Sequence, residues 1–345
     1  MVRRSAGAVK NLFHGFISLD GAGFPLDNAT DDDPGSFFSF GQIGRRCVRR
    51  AMSAASLLTT KELARAIGVS ESSIKRWADE GALLASRTAG GHRRIALPEA
   101  VRFIREARLP LVRPEVLGLP DLATLSHRPP TTGEASQYFD FLRDGRGAEA
   151  RGLLQALFLR GTGVAAIVDV VVAEAMHRIG ELWQDAPDGI WLEHRATALC
   201  AQALGALRGL LPEPFGARVV GGGAPGDPYL LAPLAATLAL AAEGFEVANL
   251  GPDLPLASLE GAVRAMRPAL AFVSVSAPRD AAAFGEEVAA FARAVAPLGT
   301  SVVVGGRAIE SAALPAEPNL HAGRTIGELV AFARGLRVAE GGARG

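Results

Sequence analysis

From Arg218 onward, short apolar runs alternate with helical segments. The strand candidates are 218–221, 245–250, 269–275 and 301–305, with His321 on a fifth, and helical segments at 230–243, 258–266, 281–294 and 325–337 separate them. Continuous apolar runs suit strands buried on both faces, and strands separated by helices pair in parallel through crossovers of one hand. Residues 216–338 are therefore expected to form an α/β Rossmann-like (flavodoxin-like) domain. Ligands of such sheets bind beyond the carboxyl ends of the strands.

The preceding segment, 134–211, reads as helix throughout. Leu153, Leu154 and Leu157 mark one helix, and Ile167, Val168, Val171, Val172, Ala175, Met176, Ile179 and Leu182 mark a longer one. Pro187-Asp188-Gly189 breaks the pattern before a last helix through Leu199, Ala203 and Leu207. Antiparallel helices with short loops imply a four-helix bundle capping the sheet domain. Pro110, Pro114, Pro120, Pro129 and Pro130 make 108–133 a stiff linker. Residues 1–56 show no sustained period and read as a poorly ordered tail. The chain is thus multidomain.

Bulk properties narrow the function classes. The formal net charge is zero over 345 residues, so any nucleic-acid surface must come from local clustering. No apolar run reaches the roughly 18–20 uncharged residues of a membrane span. Arg3, Arg4 and Lys10 precede no apolar core, so no secretory signal is expected. Cys47 and Cys200 are far apart, which argues against a disulfide framework and for the cytoplasm. CxxC and HExxH spacings are absent.

Basic charge does cluster. Between Thr59 and Arg105, nine Lys/Arg face five Asp/Glu. The stretch TTKELARAIGVSESSIKRWADEGALL implies two short helices. Thr59 and Glu62 are spaced as a capping box, Gly68 ends the first helix, and Ser70 caps the second. The second helix of such a pair enters the major groove, so Ser72, Ser73, Lys75 and Arg76 are candidates for contacts to bases or phosphates. A Gly-centred turn follows, and Arg87, His92, Arg93 and Arg94 would line a wing on the DNA backbone. The string RTAGGHRRI after SSIKRWADEG closely resembles the MerR-type winged helix-turn-helix, which makes 57–107 a DNA-binding domain with operator DNA as partner.

The bundle contains WQDAPDGIWLEH, in which nine residues separate Trp183 from Glu193-His194. With the sheet that follows, it resembles the cobalamin-binding module of the light-responsive repressors of carotenoid synthesis. In that family this motif caps the upper face of the corrin. The resemblance implies that Trp183 and Glu193 contact the adenosyl group of adenosylcobalamin. It also implies that His194 takes the metal after light breaks the Co–C bond. Read from the residues alone, Trp183 suits laying an indole over a flat ligand. A helix start near Glu193-His194 would favour an anionic Glu193 and a neutral, metal-competent His194.

The lower face departs from the family. Its pattern is G-D-x-H-x-x-G, followed by a helix and a GFEV-type strand. Gly226, Asp227 and Gly244-Phe245-Glu246-Val247 fit, but Tyr229 holds the ligand position and Ala232 the final glycine. Ser274-Val275-Ser276 stands where S-x-L is usual, and Gly305-Gly306 are kept. In the family these residues help form a slot for the nucleotide tail. Three readings follow for this face. Cobalamin binds without a histidine below. The cleft takes another tetrapyrrole, haem through a Tyr229 phenolate or a bilin such as biliverdin with its propionates on Arg195, Arg279 or Arg307. Or Tyr229 packs and the module is a ligand-free oligomerisation domain.

His177 reads as an edge histidine in reserve as a ligand. Cys200 reads as a small buried residue, with covalent bilin attachment as its alternative. The functional expectation is a repressor and photoreceptor that is not an enzyme. A homo-oligomer (dimer or tetramer) would grip the operator through several winged helices. A methyltransferase corrinoid protein is the rival from another class, disfavoured by Tyr229 and the winged helix.

Overall fold

The computed structural model describes residues 57–125, 133–185, 189–276, 281–309 and 314–342. The tail expected at 1–56, Cys47 and Arg279 lie outside the described residues, as does the side chain of Trp183.

The first elements are β1 (Leu57–Thr59), α1 (Thr60–Ile67), α2 (Glu71–Asp79), β2 (Ser86–Arg87), β3 (Arg93–Ala96) and α3 (Leu97–Glu106). The three strands form an antiparallel sheet in the order β1-β3-β2. The expected capping box is present: Glu62 N–H donates to Thr59 Oγ1 at 3.1 Å, and Thr59 N–H donates to Glu62 Oε2 at 2.7 Å. These bonds hold the Glu62 carboxyl below its usual range. Trp77 packs on Phe103 with ring centroids 5.2 Å apart, tying α2 to α3.

The Pro-rich stretch is more than a spacer. As far as Leu125 it folds into two 3-10 turns, Pro114–Leu117 and Pro120–Thr124, that lie between the winged helix and the bundle. Val112 and Arg113 both donate their N–H to Ala66 O at the end of α1. Proline at the first turn of each short helix costs no backbone bond there, which is why a sequence that reads as extended can still pack.

The bundle comprises α4 (Glu134–Arg143), α5 (Gly147–Leu159), α6 and α7 (Gly189–Arg208). Helix α6 runs from Val164–Ala166 through a π-helical segment, Ile167–Val172, into Ala173–Asp185. The sheet domain follows as β4 (Arg218–Gly223), α8 (Leu231–Ala242), β5 (Glu246–Asn249), α9 (Leu256–Met266), β6 (Leu270–Ser274), α10 (Ala281–Val295), β7 (Ser301–Gly305), β8 (Leu320–Gly323) and α11 (Ile326–Gly342).

All four strand pairings in this second sheet are parallel, in the order β5-β4-β6-β7-β8. This is the flavodoxin-like order, which reverses direction between β4 and β6. Strand side chains alternate. Val219, Leu270, Phe272 and Val303 face α8 and α11, whereas Val220, Ala271, Val273, Val302 and Val304 face α9 and α10. Strand β4 extends two glycines beyond the sequence expectation. At Gly221 a Cβ would collide with Phe272 of β6, so only glycine lets the central strands pair this closely.

The bundle stacks on the outer side of α8. One apolar core runs from Leu63 and Ile104 in the winged helix through Leu117 and Phe158 to Leu204, Ala235 and Leu238. Each fully buried aliphatic side chain in it contributes about 1.5–3 kcal/mol. The winged helix, the bundle and α8 therefore share one packed interior, while the strands of the second sheet carry two further clusters, one on each face.

Candidate functional site

Two surfaces carry the chemistry. On the first, α2 starts at Ser70, whose Oγ accepts the Ser73 N–H at 3.2 Å and lies 2.8 and 2.9 Å from the hydroxyls of Ser72 and Ser73. Lys75 and Arg76 are exposed and held in i,i+4 pairs with Glu71 (3.0 Å) and Glu80 (3.9 Å). Such exposed pairs are weak, so phosphate oxygens can replace the carboxylates.

The wing pairs Ser86 with Arg94 and Arg87 with Arg93, and the turn closes by Thr88 N–H to His92 O at 2.9 Å. His92 is exposed at its tip. Arg93 and Arg94 are half-buried. Arg93 is engaged by Asp79 at the end of α2, and Arg87 lies 3.7 Å from the same carboxylate. Asp79 thus staples the wing to the recognition helix. Residue patterns could not reveal this, because the two ends meet only after the chain turns back.

The second surface is a cleft of about 360 Å³ between α6 and the carboxyl edge of the sheet. Apolar groups from α6 (Val168, Val172, Met176), α7 (Leu204) and α8 (Leu231, Ala235) wall it, and Ser274, Gly305 and Gly306 line the strand ends. Three residues expected at a tail slot are thereby brought together.

Asp227 has a structural part. Its carboxylate accepts N–H groups from Tyr229 at 3.0 Å and Ser276 at 2.5 Å, and its carbonyl accepts from Asp253 at 2.9 Å. It is 3% exposed and ties together the loops after β4, β5 and β6, so its oxygens are committed to backbone. Tyr229, on the same edge, is 48% exposed and does not fill the interior.

Glu193 and His194 lie on α7, with Glu193 Oε1 accepting from Thr197 Oγ1 at 3.1 Å and its Oε2 3.6 Å from His194 Nε2. The His194 side chain is 71% exposed. One expectation is corrected here. Helix α7 begins at Gly189, so both residues lie beyond its first turn, where the helix dipole no longer acts strongly.

Helix rise gives their distance from the cleft. Glu193 precedes Leu204 by eleven residues, or about 16 Å, and Trp183 follows Met176 by seven, or about 10 Å. The cleft is too small for a whole tetrapyrrole. It suits a flat side group of one.

Other candidates are placed elsewhere. Arg195 donates to Arg143 O at 2.5 Å and lies 4.8 Å from the Trp191 ring, so it serves the α4–α5 turn rather than a propionate in the cleft. His177 is exposed and pairs with Glu181 at 3.4 Å. Cys200 is buried beside Tyr138, and burial pushes its thiol up to about 12. A thiol so placed is unsuited to bilin attachment.

The residue missed at the sequence level is Asp169. Its carboxylate leaves the π-helical segment and accepts the N–H groups of Ile326 (2.9 Å) and Gly327 (2.8 Å) at the start of α11. A π-helical segment in a long helix often marks a functional position, but the apolar run IVDVVV gives no sign of it.

Among the described residues no group of three or more His, Cys, Asp or Glu could hold a metal ion, and no helix is long and apolar enough to cross a membrane. The apolar cleft fits a flat side group of a cobalamin-type ligand, and the Tyr229 position offers no imidazole.

The comparisons agree with this division. Residues 57–108 match the family described as a helix-turn-helix domain, and residues 135–208 match the B12 binding domain. No protein of curated function matches the chain. Among solved structures, it is similar to a monomethylamine corrinoid protein of Methanosarcina barkeri (15% identity, 58% of this chain and 96% of that one, TM-score 0.44). It is also similar to a cobalamin-binding protein of Desulfitobacterium hafniense DCB-2 (15%, 59% and 98%, TM-score 0.31). A third is a methanol:cobalamin methyltransferase complex of M. barkeri (16%, 64% and 88%, TM-score 0.30). The chain joins a helix-turn-helix DNA-binding domain to a B12-binding domain, a combination that fits a transcriptional regulator with a cobalamin-binding module.

Proposed function

We propose that the chain is a MerR-type repressor, not an enzyme, whose grip on operator DNA is set by a cobalamin held between the bundle and the sheet edge. The observation that carries this reading is the apolar cleft between α6 and the ends of β6 and β7. Ser274, Gly305 and Gly306 would receive the nucleotide tail, and Tyr229 would lie below the ring. Trp183, Glu193 and His194 would stand above it. Bound as adenosylcobalamin, the cofactor supplies a cobalt–carbon bond that light can cleave.

What the chain itself does is hold and report. A change above the ring would act on the start of α7, which packs along α5. Helix α5 is joined to the linker and to the winged helix, at one point each. Arg151 makes a two-pronged pair with Asp121 of the linker at 2.7 and 3.2 Å. Arg105 of α3 stacks 3.7 Å from the Phe158 centroid and donates to Phe158 O. These contacts support a mechanical route from ligand to DNA reader, with a homo-oligomer multiplying the effect.

The second reading, haem or biliverdin in the same place, is favoured by the half-exposed phenol of Tyr229 at the strand ends. Mobility-shift assays in darkness and light, without ligand and with adenosylcobalamin, haem or biliverdin, test both. Dark-only operator binding with adenosylcobalamin is expected. Operator binding indifferent to every ligand and to light would overturn the sensor, and a response to haem or biliverdin alone would select the second reading.

A further inference from the structure

A cavity of about 850 Å³ lies at the joint between the winged helix and the bundle, and it shares no lining residue with the cleft at the sheet edge. The end of α3, the loop 108–112, the linker around Leu122 and the end of α5 wall it. Small-molecule sites typically enclose about 300–1,000 Å³. Ile104 is buried at its base, and Leu109, Leu111, Leu122 and Leu159 are half-buried, so the floor is apolar and only partly covered.

The edge of this cavity is cationic. Arg108 and Arg160 are exposed and line it, and Glu106 is the one acid in the lining. Glu106 is paired with Arg102, whose guanidinium also holds Glu99. Arg105 is committed to the ring and carbonyl of Phe158 and lies within the field of Glu106. Arg102 and Arg105 thus balance Glu99 and Glu106, and Arg108 and Arg160 are left over. Among the described residues the Arg108 side chain makes no ion pair or hydrogen bond. Arg160 makes only a long bond within its own turn, from Nε to Ala156 O at 3.4 Å. The sequence that continues from Leu125, SHRPPTT, brings no acid.

The backbone at Arg108 is specialised too. Helix α3 closes with Leu109 N–H donating to Ile104 O at 3.0 Å and Arg108 N–H to Arg105 O at 3.3 Å. The left-handed residue of such a closing turn is usually glycine. The chain carries Arg108 there, at φ +49°. Farther along the same loop, Val112 and Arg113 donate to Ala66 O at the end of α1. An occupant of the cavity would therefore touch α3, α5 and a loop tied to the helix-turn-helix.

We propose that this cavity is a second ligand site, for a small amphipathic carboxylate. Its apolar body lies on the leucine floor, and its head lies against Arg108 and Arg160. The occupant braces the joint at which the winged helix meets the bundle. The site is independent of the cobalamin reading, because a different cavity carries it.

Isothermal titration calorimetry of the full chain with octanoate tests the site, with 1-octanol and acetate supplying the body and the head alone. Octanoate is expected to bind, and each of the other two to bind about tenfold or more weakly. The double variant Arg108→Gln/Arg160→Gln should lose about tenfold or more in octanoate affinity and keep its affinity for 1-octanol, and added salt should weaken octanoate on the wild type. Thermal unfolding and a hydroxocobalamin titration, each the same in variant and wild type, serve as folding controls. Octanoate should also slow hydrogen exchange at the amides of Leu109, Leu111 and Val112. No octanoate binding, equal binding of octanoate and 1-octanol, or a double variant with full octanoate affinity overturns the site. So does slowed exchange confined to the sheet edge.

Discussion

The carboxylate of Asp169 accepts the amide of Gly327 at 2.8 Å, joining the bundle to the first turn of the last helix across 158 residues of sequence. A Cβ on residue 327 would lie 3.2 Å from that oxygen, so glycine gives the carboxylate its room. Replacing Asp169 by Ala uncaps α11 and unties the bundle from the sheet edge. The expected loss is about 1–2 kcal/mol in denaturant unfolding, with faster hydrogen exchange at the start of α11.

The exposed basic residues of α2 should act on DNA without acting on the fold. Lys75→Ala and Arg76→Ala are each expected to leave the melting temperature unchanged. Each should weaken duplex binding and reduce the slope of log affinity against log salt by about one. Fluorescence anisotropy at several salt concentrations measures this. An unchanged slope in both would remove α2 from the interface.

Arg105 should matter for communication more than for contact with DNA. Burial lowers its pKa, but its charge remains, held by the Phe158 ring and carbonyl. Arg105→Ala should cost about 1–2 kcal/mol of stability. Ligand-free DNA binding should persist while the difference between ligand-bound and ligand-free protein shrinks. Paired mobility-shift assays would show whether the difference survives.

At the sheet edge, Tyr229→His places an imidazole where the proposed cobalamin ring would rest. Cobalamin affinity should rise by about tenfold or more, with a changed absorption spectrum. Tyr229→Phe should leave both near wild type, because the phenol is half-exposed and its loss opens no core cavity. If Tyr229→Phe abolishes binding, the phenol oxygen itself contacts the ligand.

Cys200 offers a pH test. Burial raises its thiol from 9.0 to about 12, and burial also raises Tyr138 well above 10.0. The unfolded groups ionise first, so the stability tied to their neutral forms is complete below pH 9 and is lost as pH rises toward 12. Cys200 should resist thiol reagents at pH 8 in the folded protein and react on unfolding. Reaction in the native state would contradict its burial.

Local signals were legible wherever neighbours in sequence are also neighbours in space. The capping box of Thr59 and Glu62, the Ser70 cap and the alternating strands of the sheet all rest on contacts within a few residues. The set Ser274, Gly305 and Gly306 was named from the family resemblance, and the parallel register of β6 and β7 brings it together at the carboxyl edge. The roles of Asp227 and Arg195 were not legible. Each is a polar side chain that resembles a ligand until its partners appear, and those partners, the Ser276 amide and the Arg143 carbonyl, come from remote segments.

The sequence by itself determined the order of the elements, the helix-turn-helix pattern and the parallel sheet, because period, caps and turn residues act over short range. Only the tertiary structure decided that the Pro-rich stretch packs, that Asp79 binds the wing, and that Asp169 closes α11. It likewise decided that Arg108 and Arg160 edge one cavity. Each of these depends on which distant backbone group reaches a side chain first, and that is settled by packing between elements.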